Sequence, residues 1–294
     1  MTETTIDITT HTLDVPDAVL TYDVRRNDSS AQPVLLMIGS PMGAAGFGTL
    51  AGFFSDRTVV TYDPRMTERS HRTDGATQTT VEEQADDLHR LISALDAGPV
   101  DLFASSGGAV NALALVARRP EQVRTLVAHE PPSACLLPDA EHALDAARDI
   151  HETYLRSGFG PGMAKFMALT SHQGEIPADW VSRPDPDPTM FGLPTEDDGS
   201  RDDPLIGQTI LSITSYEPDF EALRAAPTRI VVAAGADSKG EMAHRGAFAV
   251  AERLGVEPVI FPSHHGGFLG DEYGWPGEPE MFAANLHEVL ANST

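Results

Sequence analysis

Unbroken apolar runs alternate with helical segments along most of the chain, and this alternation restricts the fold more than any other feature. The run PVLLMI at 33–38 holds no polar side chain, as expected of a strand buried on both faces. Further strands are predicted at 58–62, 100–104, 123–129, 228–234 and 257–261. Helices are predicted from 43 to about 54 and at 80–95, 107–119, 241–254 and 279–290. The alternation predicts an α/β fold with a mostly parallel central sheet flanked by helices.

Two local patterns refine this prediction. Alternating segments at 6–15 and 18–25, separated by Pro16 and Asp17, predict an antiparallel pair at the start of the chain. The sequence TVEE at 80–83 is typical of a capping box and places the start of the following helix.

The stretch from 133 to 223 interrupts the alternation. It holds helical segments near 139–156 and 161–169, followed by a loop rich in proline and aspartate, and no clear strand. We therefore predict a helical cap at 133–223, inserted into an α/β core formed by residues 1–132 and 224–294.

Charge and cysteine content exclude several classes of protein. The net charge is −24, from 20 basic and 44 acidic residues, so the chain should repel nucleic acids and anionic membrane surfaces. No apolar run is long enough to span a bilayer, and the start MTETTIDITTHTLDV has no basic or apolar leader. The single cysteine, Cys135, suits a reducing compartment. We predict a cytoplasmic protein whose partner is a small molecule, and a homodimer is compatible with the sequence.

The segment DLFASSGGAV at 101–110 runs from a predicted strand through two serines and two glycines directly into a helix. Small residues at Ala104 and Gly108 flank Ser106 at the spacing that a tight, strained strand–turn–helix connection requires. A glycine-softened turn with capping serines would give a similar sequence. The phosphate-binding patterns GxGxxG and GxxxxGK[ST] are absent here. The segment resembles the nucleophile elbow of the α/β-hydrolase fold family, with alanine in place of the usual first glycine.

This resemblance implies a Ser106 nucleophile and an oxyanion-binding N–H group on Gly107. It also implies a second N–H donor in the loop after the strand at 33–38. There, IGSP at 38–41 resembles the family's His-Gly-x-Pro, with Ile38 replacing the histidine, and Ser40 N–H is the expected donor.

The resemblance implies a histidine late in the chain, after the last strand. The sequence PSHHGGF at 262–268 stands at that position, and its second histidine begins a match to the family's H-x-G-F. His265 is the expected base, and the adjacent His264 is the alternative.

Two residues are candidates for the acid that orients this histidine. Asp237 follows the strand at 228–234, the commonest position in the family. Glu130 follows the strand at 123–129 and is held by Pro131 and Pro132, which suits a residue that must fix an imidazole. We favour Glu130, and the sequence leaves both open.

One further turn departs from the family. The segment DPRMTERS at 63–70 resembles the family's D-x-R-G-x-G-x-S, but Met66 and Glu68 replace its two glycines. We expect this turn to have a structural role or to line the rim of the pocket.

Together these motifs imply a serine hydrolase that cleaves an ester or lactone, with an apolar small molecule as the default substrate. No cofactor is expected. No metal is expected either, because His264 and His265 lack a spaced partner and the acidic loop at 197–203 does not match a calcium-binding pattern. Two alternatives remain: a cofactor-free perhydrolase or haloperoxidase, and a hydrolase-fold protein that binds a small ligand with little turnover.

Overall fold

One mixed β-sheet organises the chain, and a computed structural model describes it over residues 8–292. In this part of the chain the sheet has nine strands: β1 (Ile8–Val15), β2 (Ala18–Arg25), β3 (Leu35–Ile38), β4 (Val59–Asp63), β5 (His71–Arg72), β6 (Val100–Ser105), β7 (Val123–His129), β8 (Arg229–Gly235) and β9 (Val259–Phe261). Their order is β1-β2-β4-β3-β6-β7-β8-β9, and the short β5 pairs with β2. The predicted start of the first strand at residues 6 and 7 lies outside the described residues.

The strand directions confirm a mostly parallel sheet. Only the pairs that involve β2 are antiparallel, namely with β1, β4 and β5. From β4 through β3, β6, β7 and β8 to β9 every neighbouring pair is parallel. The carboxyl ends of β6, β7 and β8 therefore meet along one edge of the sheet, where an open α/β sheet usually binds its ligands.

The helices cover both faces of this sheet. They are α1 (Gly48–Gly52), α2 (Val81–Leu95), α3 (Gly107–Arg118), α4 (Ala140–Ser157), α5 (Phe159–Thr170), α6 (Ile210–Ser215), α7 (Phe220–Ala225), α8 (Met242–Leu254) and α9 (Pro279–Ala291). Helices α2, α3 and α8 pack on one face, and α1 and α9 pack on the other. Within β3, Leu36 contacts the first group while Leu35 and Met37 contact the second, so both faces of the strand are apolar. This arrangement explains the unbroken apolar runs.

Several element boundaries differ from the predictions; for example, β3 begins at Leu35 instead of 33, and β9 begins at Val259 instead of 257. The capping box at the start of α2 is confirmed, because Glu83 N–H donates to Thr80 Oγ1 at 3.1 Å and Thr80 N–H donates to Glu83 Oε2 at 2.9 Å. The single helix predicted from 43 to about 54 is instead a 3₁₀ turn at Ala44–Phe47 followed by the short α1. Strand β5 was not predicted, since two residues are too few to form a pattern.

The chain between β7 and β8 contains α4, α5, α6 and α7 together with several short turns, and none of its described residues is in a strand. Many of its buried side chains form a separate cluster that includes Ala147, Ile150, Tyr154 and Ile206, whereas Ile213 of α6 packs with the core of the sheet. This segment therefore has apolar packing of its own beside that of the sheet. None of the helices described between residues 8 and 292 has the length and apolar character needed to cross a membrane.

Two residues of the turn after β4 adopt backbone conformations that glycine would adopt more easily. Met66 and Glu68 adopt positive φ values of 66° and 50°, a region that costs a non-glycine residue about 1–2 kcal/mol. The turn is fixed by Arg65, which is buried and donates to both carboxylate oxygens of Asp87 at 2.7 and 2.6 Å.

A buried ion cluster lies at the opposite end of the sheet from the carboxyl edge. Asp101, near the start of β6, is fully buried and accepts hydrogen bonds from Arg57 Nη2 at 2.8 Å and from Arg124 at 2.8 and 2.6 Å. Arg57 is also buried, so its charge depends on this one carboxylate for compensation.

We predict that Asp101→Ala lowers the free energy of unfolding by about 3–5 kcal/mol, because it leaves the Arg57 guanidinium buried without a counter-charge. Urea denaturation of the variant measures this loss. The control is Asp86→Ala, which removes an exposed i,i+4 pair with Arg90 and should cost less than about 1 kcal/mol. Equal losses in the two variants would contradict the prediction.

Candidate active site

Ser106 lies on a strained turn between β6 and α3. Its backbone has φ 57° and ψ −130°, a conformation that costs a non-glycine residue about 1–3 kcal/mol. Two hydrogen bonds hold the turn: Ser106 N–H donates to His129 O at 2.9 Å, and Ala109 N–H donates to Ser106 O at 2.9 Å. The side chain is partly exposed and its hydroxyl makes no hydrogen bond with any residue between 8 and 292.

The two glycines after Ser106 allow the backbone of the β3 loop to approach the elbow. A Cβ on Gly108 would lie 2.9 Å from backbone atoms of Gly39, and a Cβ on Gly107 would lie 2.6 Å from Ser40 O. Real Cβ atoms are essentially never found so close to backbone atoms. Glycine is therefore required at both positions by close packing.

Gly107 and Ser40, the two predicted oxyanion donors, are brought together by this packing. Neither backbone N–H has a hydrogen-bond partner within residues 8–292. Gly107 is the first residue of α3, where N–H groups have no partner inside the helix. The side chain of Ser40 holds this residue in place, because its Oγ donates to Gln84 Oε1 at 3.1 Å. Asn111 Nδ2 donates to the same oxygen at 2.9 Å.

The structure joins His265 to Glu130. His265 Nδ1 lies 2.6 Å from Glu130 Oε2, so the ring donates its Nδ1 proton to the carboxylate. Glu130 is fully buried, whereas the His265 side chain is 29% exposed and can be reached by a substrate. His264 is directed elsewhere: it accepts from Gly266 N–H at 3.0 Å and stacks on Trp275 at 3.8 Å between ring centroids.

The other oxygen of Glu130 is held by the loop after β8. Gly235 N–H donates to Glu130 Oε1 at 2.9 Å, and the hydroxyl of Ser238 makes a short hydrogen bond with the same oxygen. Asp237, the alternative acid, lies in this loop but is exposed, and its side chain makes no hydrogen bond with a described residue.

Burial and hydrogen bonding set the charges of this pair. Burial by itself raises the pKa of the Glu130 carboxyl, but the hydrogen bond and charge of His265 outweigh it and hold that pKa well below its usual value. Burial by itself lowers the pKa of His265, and the hydrogen bond and negative charge of Glu130 reverse this, so that the net pKa is raised above 6.5. An ionised carboxylate thus orients the imidazole and favours its protonated form.

His129 lies beneath the site and was not singled out from the sequence. It is fully buried among phenylalanine rings, its ring centroid is 6.0 Å from that of His265, and its Nδ1 lies 3.1 Å from Ser105 Oγ. Burial lowers the pKa of His129 to about 4, so the ring is neutral at neutral pH. Because the backbone of His129 also binds Ser106 N–H, this residue connects the elbow to the neighbouring Glu130.

Backbone strain is concentrated at these residues. Three of the seven non-glycine residues with positive φ between 8 and 292 are here: Ser106, Glu130 at 47° and Ser263 at 69°. Such strain persists only where surrounding contacts hold it, and it is commonest at functional sites.

The segment between β7 and β8 reaches over the elbow. Ile213 of α6 is buried, and its Cδ1 would lie 3.4 Å from a Cβ on Gly107. An apolar side chain therefore adjoins the predicted oxyanion position. No group of three or more His, Cys, Asp or Glu side chains within residues 8–292 is placed to hold a metal ion.

Ser238, Gly235 and Gln84 also belong to the site and were not predicted from the sequence. The chain order could have pointed to Ser238 and Gly235. If Glu130 follows β7 and β8 lies beside β7, the loop after β8 must adjoin that carboxylate. Gln84 carries no comparable signal, since it contacts the β3 loop from inside a helix.

We predict that Gly108→Ala lowers the free energy of unfolding by about 1–3 kcal/mol, because the new methyl group must displace the backbone of Gly39. Thermal denaturation checks this. Gly52→Ala is the matched control, since nothing lies within 4 Å of its Cβ position, and its stability should change by less than about 0.5 kcal/mol. A Gly108→Ala variant as stable as the control would contradict the close packing.

Comparisons with known proteins agree with the fold described above. The alpha/beta hydrolase fold family model matches residues 32–175. An uncharacterized hydrolase of Bacillus subtilis (strain 168), YraK, is 34% identical over 284 residues, which are 95% of each chain. A thermophilic esterase from Thermogutta terrifontis has the same fold, with a TM-score of 0.65, 19% identity and 94% of each chain covered. An enol-lactonase from Burkholderia xenovorans LB400 also shares it, with a TM-score of 0.66, 14% identity, and 96% of this chain and 100% of the other covered. The chain belongs to the α/β-hydrolase family.

Proposed function

We propose that the protein hydrolyses a carboxylic ester or lactone through an acyl-enzyme on Ser106. The family and the Bacillus relative support a hydrolase, and the reaction proposed here is narrower. The observation that carries it is the His265–Glu130 hydrogen bond, made at the same edge of the sheet as a strained, partly exposed serine.

In the proposed reaction, the Ser106 hydroxyl attacks the substrate carbonyl while His265 Nε2 removes the hydroxyl proton. The oxyanion that forms accepts hydrogen bonds from Gly107 N–H and Ser40 N–H, neither of which has a partner within residues 8–292. His265 then returns the proton to the leaving alkoxide, and the alcohol departs. In the second half of the reaction, His265 takes a proton from a water molecule that attacks the acyl carbon. The bond from that carbon to Ser106 Oγ then breaks, the acid leaves, and His265 returns the proton to Ser106 Oγ.

This mechanism requires Ser106 Oγ to come within hydrogen-bond distance of His265 Nε2. Such bonds are often long in the free enzyme and shorten when substrate binds. His265 is already held by its other nitrogen, so Nε2 is the ring atom left to receive the serine proton.

Glu130 is the proposed acid in place of Asp237. A buried carboxylate keeps a strong interaction with an imidazolium, whereas an exposed one is screened by solvent. Glu130 is ionised, fully buried and bonded to Nδ1, which sets the tautomer with a free Nε2 for the serine proton.

The proposed substrate is an apolar small molecule. Ile213 presents a hydrocarbon side chain next to Gly107, and a net charge of −24 disfavours anionic substrates. In this proposal residues 133–223 act as a cap that sets specificity from the side of α6.

We predict that a fluorophosphonate forms one covalent adduct, located on Ser106, because this serine lies on the strained, partly exposed elbow at the start of α3. Intact mass and peptide mapping measure the adduct. Ser106→Ala should abolish the adduct and lower kcat/KM for p-nitrophenyl butyrate by about 10⁵-fold or more. A folded wild-type protein that forms no adduct would contradict the proposal and favour a binding protein with little turnover.

We predict that Glu130→Gln lowers kcat/KM by about 10³–10⁴-fold, whereas Asp237→Asn stays within about twofold of the wild type. Glutamine removes the charge that raises the pKa of His265 and leaves burial, which lowers it. Because the neutral imidazole is the base, activity of the wild type should rise with pH through a pKa above 6.5, and this limb should move to lower pH in Glu130→Gln. The reverse order of the two variants would assign the acid to Asp237.

A further inference from the structure

We infer that Ser238 is a positioning residue for the acid: the loop after β8 supplies the hydrogen-bond donors that hold Glu130, instead of supplying the acid itself. This inference rests on the proposed function. It concerns how the Glu130 carboxylate is kept directed at His265.

Sheet topology brings the loop to the carboxylate. Strands β7 and β8 are parallel neighbours with His129 opposite Ala233, and Glu130 N–H continues the ladder by donating to Ala233 O at 2.9 Å. The chain after Gly235 therefore turns directly above Glu130. Ser238 is fully buried at this turn, while Asp237 beside it is exposed.

The Ser238 hydroxyl has two acceptors within reach and one proton. Its Oγ lies 3.2 Å from Gly235 O and markedly closer to Glu130 Oε1. Hydrogen bonds to a charged acceptor are shorter and about twice as strong as those between neutral groups, so the proton goes to the carboxylate.

Ser238 and Gly235 together occupy Oε1, and His265 occupies Oε2. A carboxylate with both oxygens bound on different sides cannot rotate without breaking a hydrogen bond inside the protein. The packing is tight, since a Cβ on Gly235 would lie 2.8 Å from Ser238 Oγ. The loop thus fixes the position of the Glu130 carboxylate. By binding Oε1, it also determines how much of the negative charge remains on Oε2, the oxygen that faces the imidazole.

Other titratable groups act on the Glu130–His265 pair. They are His129 on β7 and, on the side of α8, Glu241 and His244. His129 is neutral at neutral pH, because burial lowers its pKa to about 4. None of these groups makes a hydrogen bond with Glu130, so Ser238 is the side chain other than His265 whose removal changes the carboxylate directly.

The test compares Ser238→Ala with the wild type. Gly235 N–H still binds Oε1 in this variant, so the carboxylate stays near His265, but it is held less firmly and loses a donor that drew charge away from His265. The imidazolium is then stabilised more strongly and the pKa of His265 rises. We expect kcat/KM for p-nitrophenyl butyrate to fall by about tenfold or more, carried by kcat with KM unchanged, and the acid limb of its pH profile to move to higher pH.

A proton NMR titration of His265 measures the same change without turnover. The Nδ1 proton that donates to Glu130 should resonate far downfield in the wild type, and the His265 pKa should be higher in Ser238→Ala. Ser238→Cys keeps the shape of the side chain but has a weaker donor, so its His265 pKa should lie between those of the wild type and Ser238→Ala. This variant also replaces Ser238→Ala in the test if Ser238→Ala does not fold.

Ser133→Ala is the matched control. It removes another buried serine hydroxyl, one without a hydrogen-bond partner among residues 8–292, and should leave both the pH profile and the His265 pKa as in the wild type. An acid limb and a His265 pKa that are unmoved or lowered in Ser238→Ala would overturn the inference. The proposed function fails separately, through a Ser106→Ala variant that retains activity, so the two failures are distinguishable.

Discussion

The carboxylate of Glu130 is the constraint on which the rest of the site depends. A buried negative charge is tolerated only where hydrogen bonds replace the water that it has lost. Here the replacement comes from three residues: Gly235 at the end of β8, Ser238 in the loop that follows β8, and His265 after β9. Satisfying this one charge therefore joins the carboxyl ends of adjacent strands and sets the direction of the imidazole.

A second buried carboxylate at the other end of the sheet provides an instructive contrast. Asp101 is compensated by the guanidinium groups of two arginines. Glu130 is compensated by neutral donors and by a histidine, whose proton can leave. The first arrangement contributes stability alone. In the second arrangement, the interaction between Glu130 and His265 changes when the histidine gains or loses its proton. A buried acid can therefore stabilise the fold at one end of the sheet and take part in the proposed chemistry at the other.

Much of this could be predicted from the sequence. The apolar runs indicated strands buried on both faces, and the alternation with helices indicated a parallel sheet, because both patterns follow from local periodicity. The segment at 101–110 indicated the elbow, since two glycines are needed where Gly39 and Ser40 approach. The short β5 and the division of the first predicted helix into a 3₁₀ turn and α1 could not be foreseen, because pairing with β2 and packing against the sheet decide them.

By itself, the sequence determined the fold class, the order of the candidate residues along the chain, and the positions where strand ends carry serine, acid and histidine. It left Glu130 and Asp237 as alternatives, and also His264 and His265. Only the tertiary structure gives the members of each pair different surroundings: it buries Glu130 against His265, exposes Asp237 and stacks His264 on Trp275. The physical reason is that neighbouring residues share the same local sequence, whereas burial and hydrogen-bond partners depend on which distant strands lie side by side.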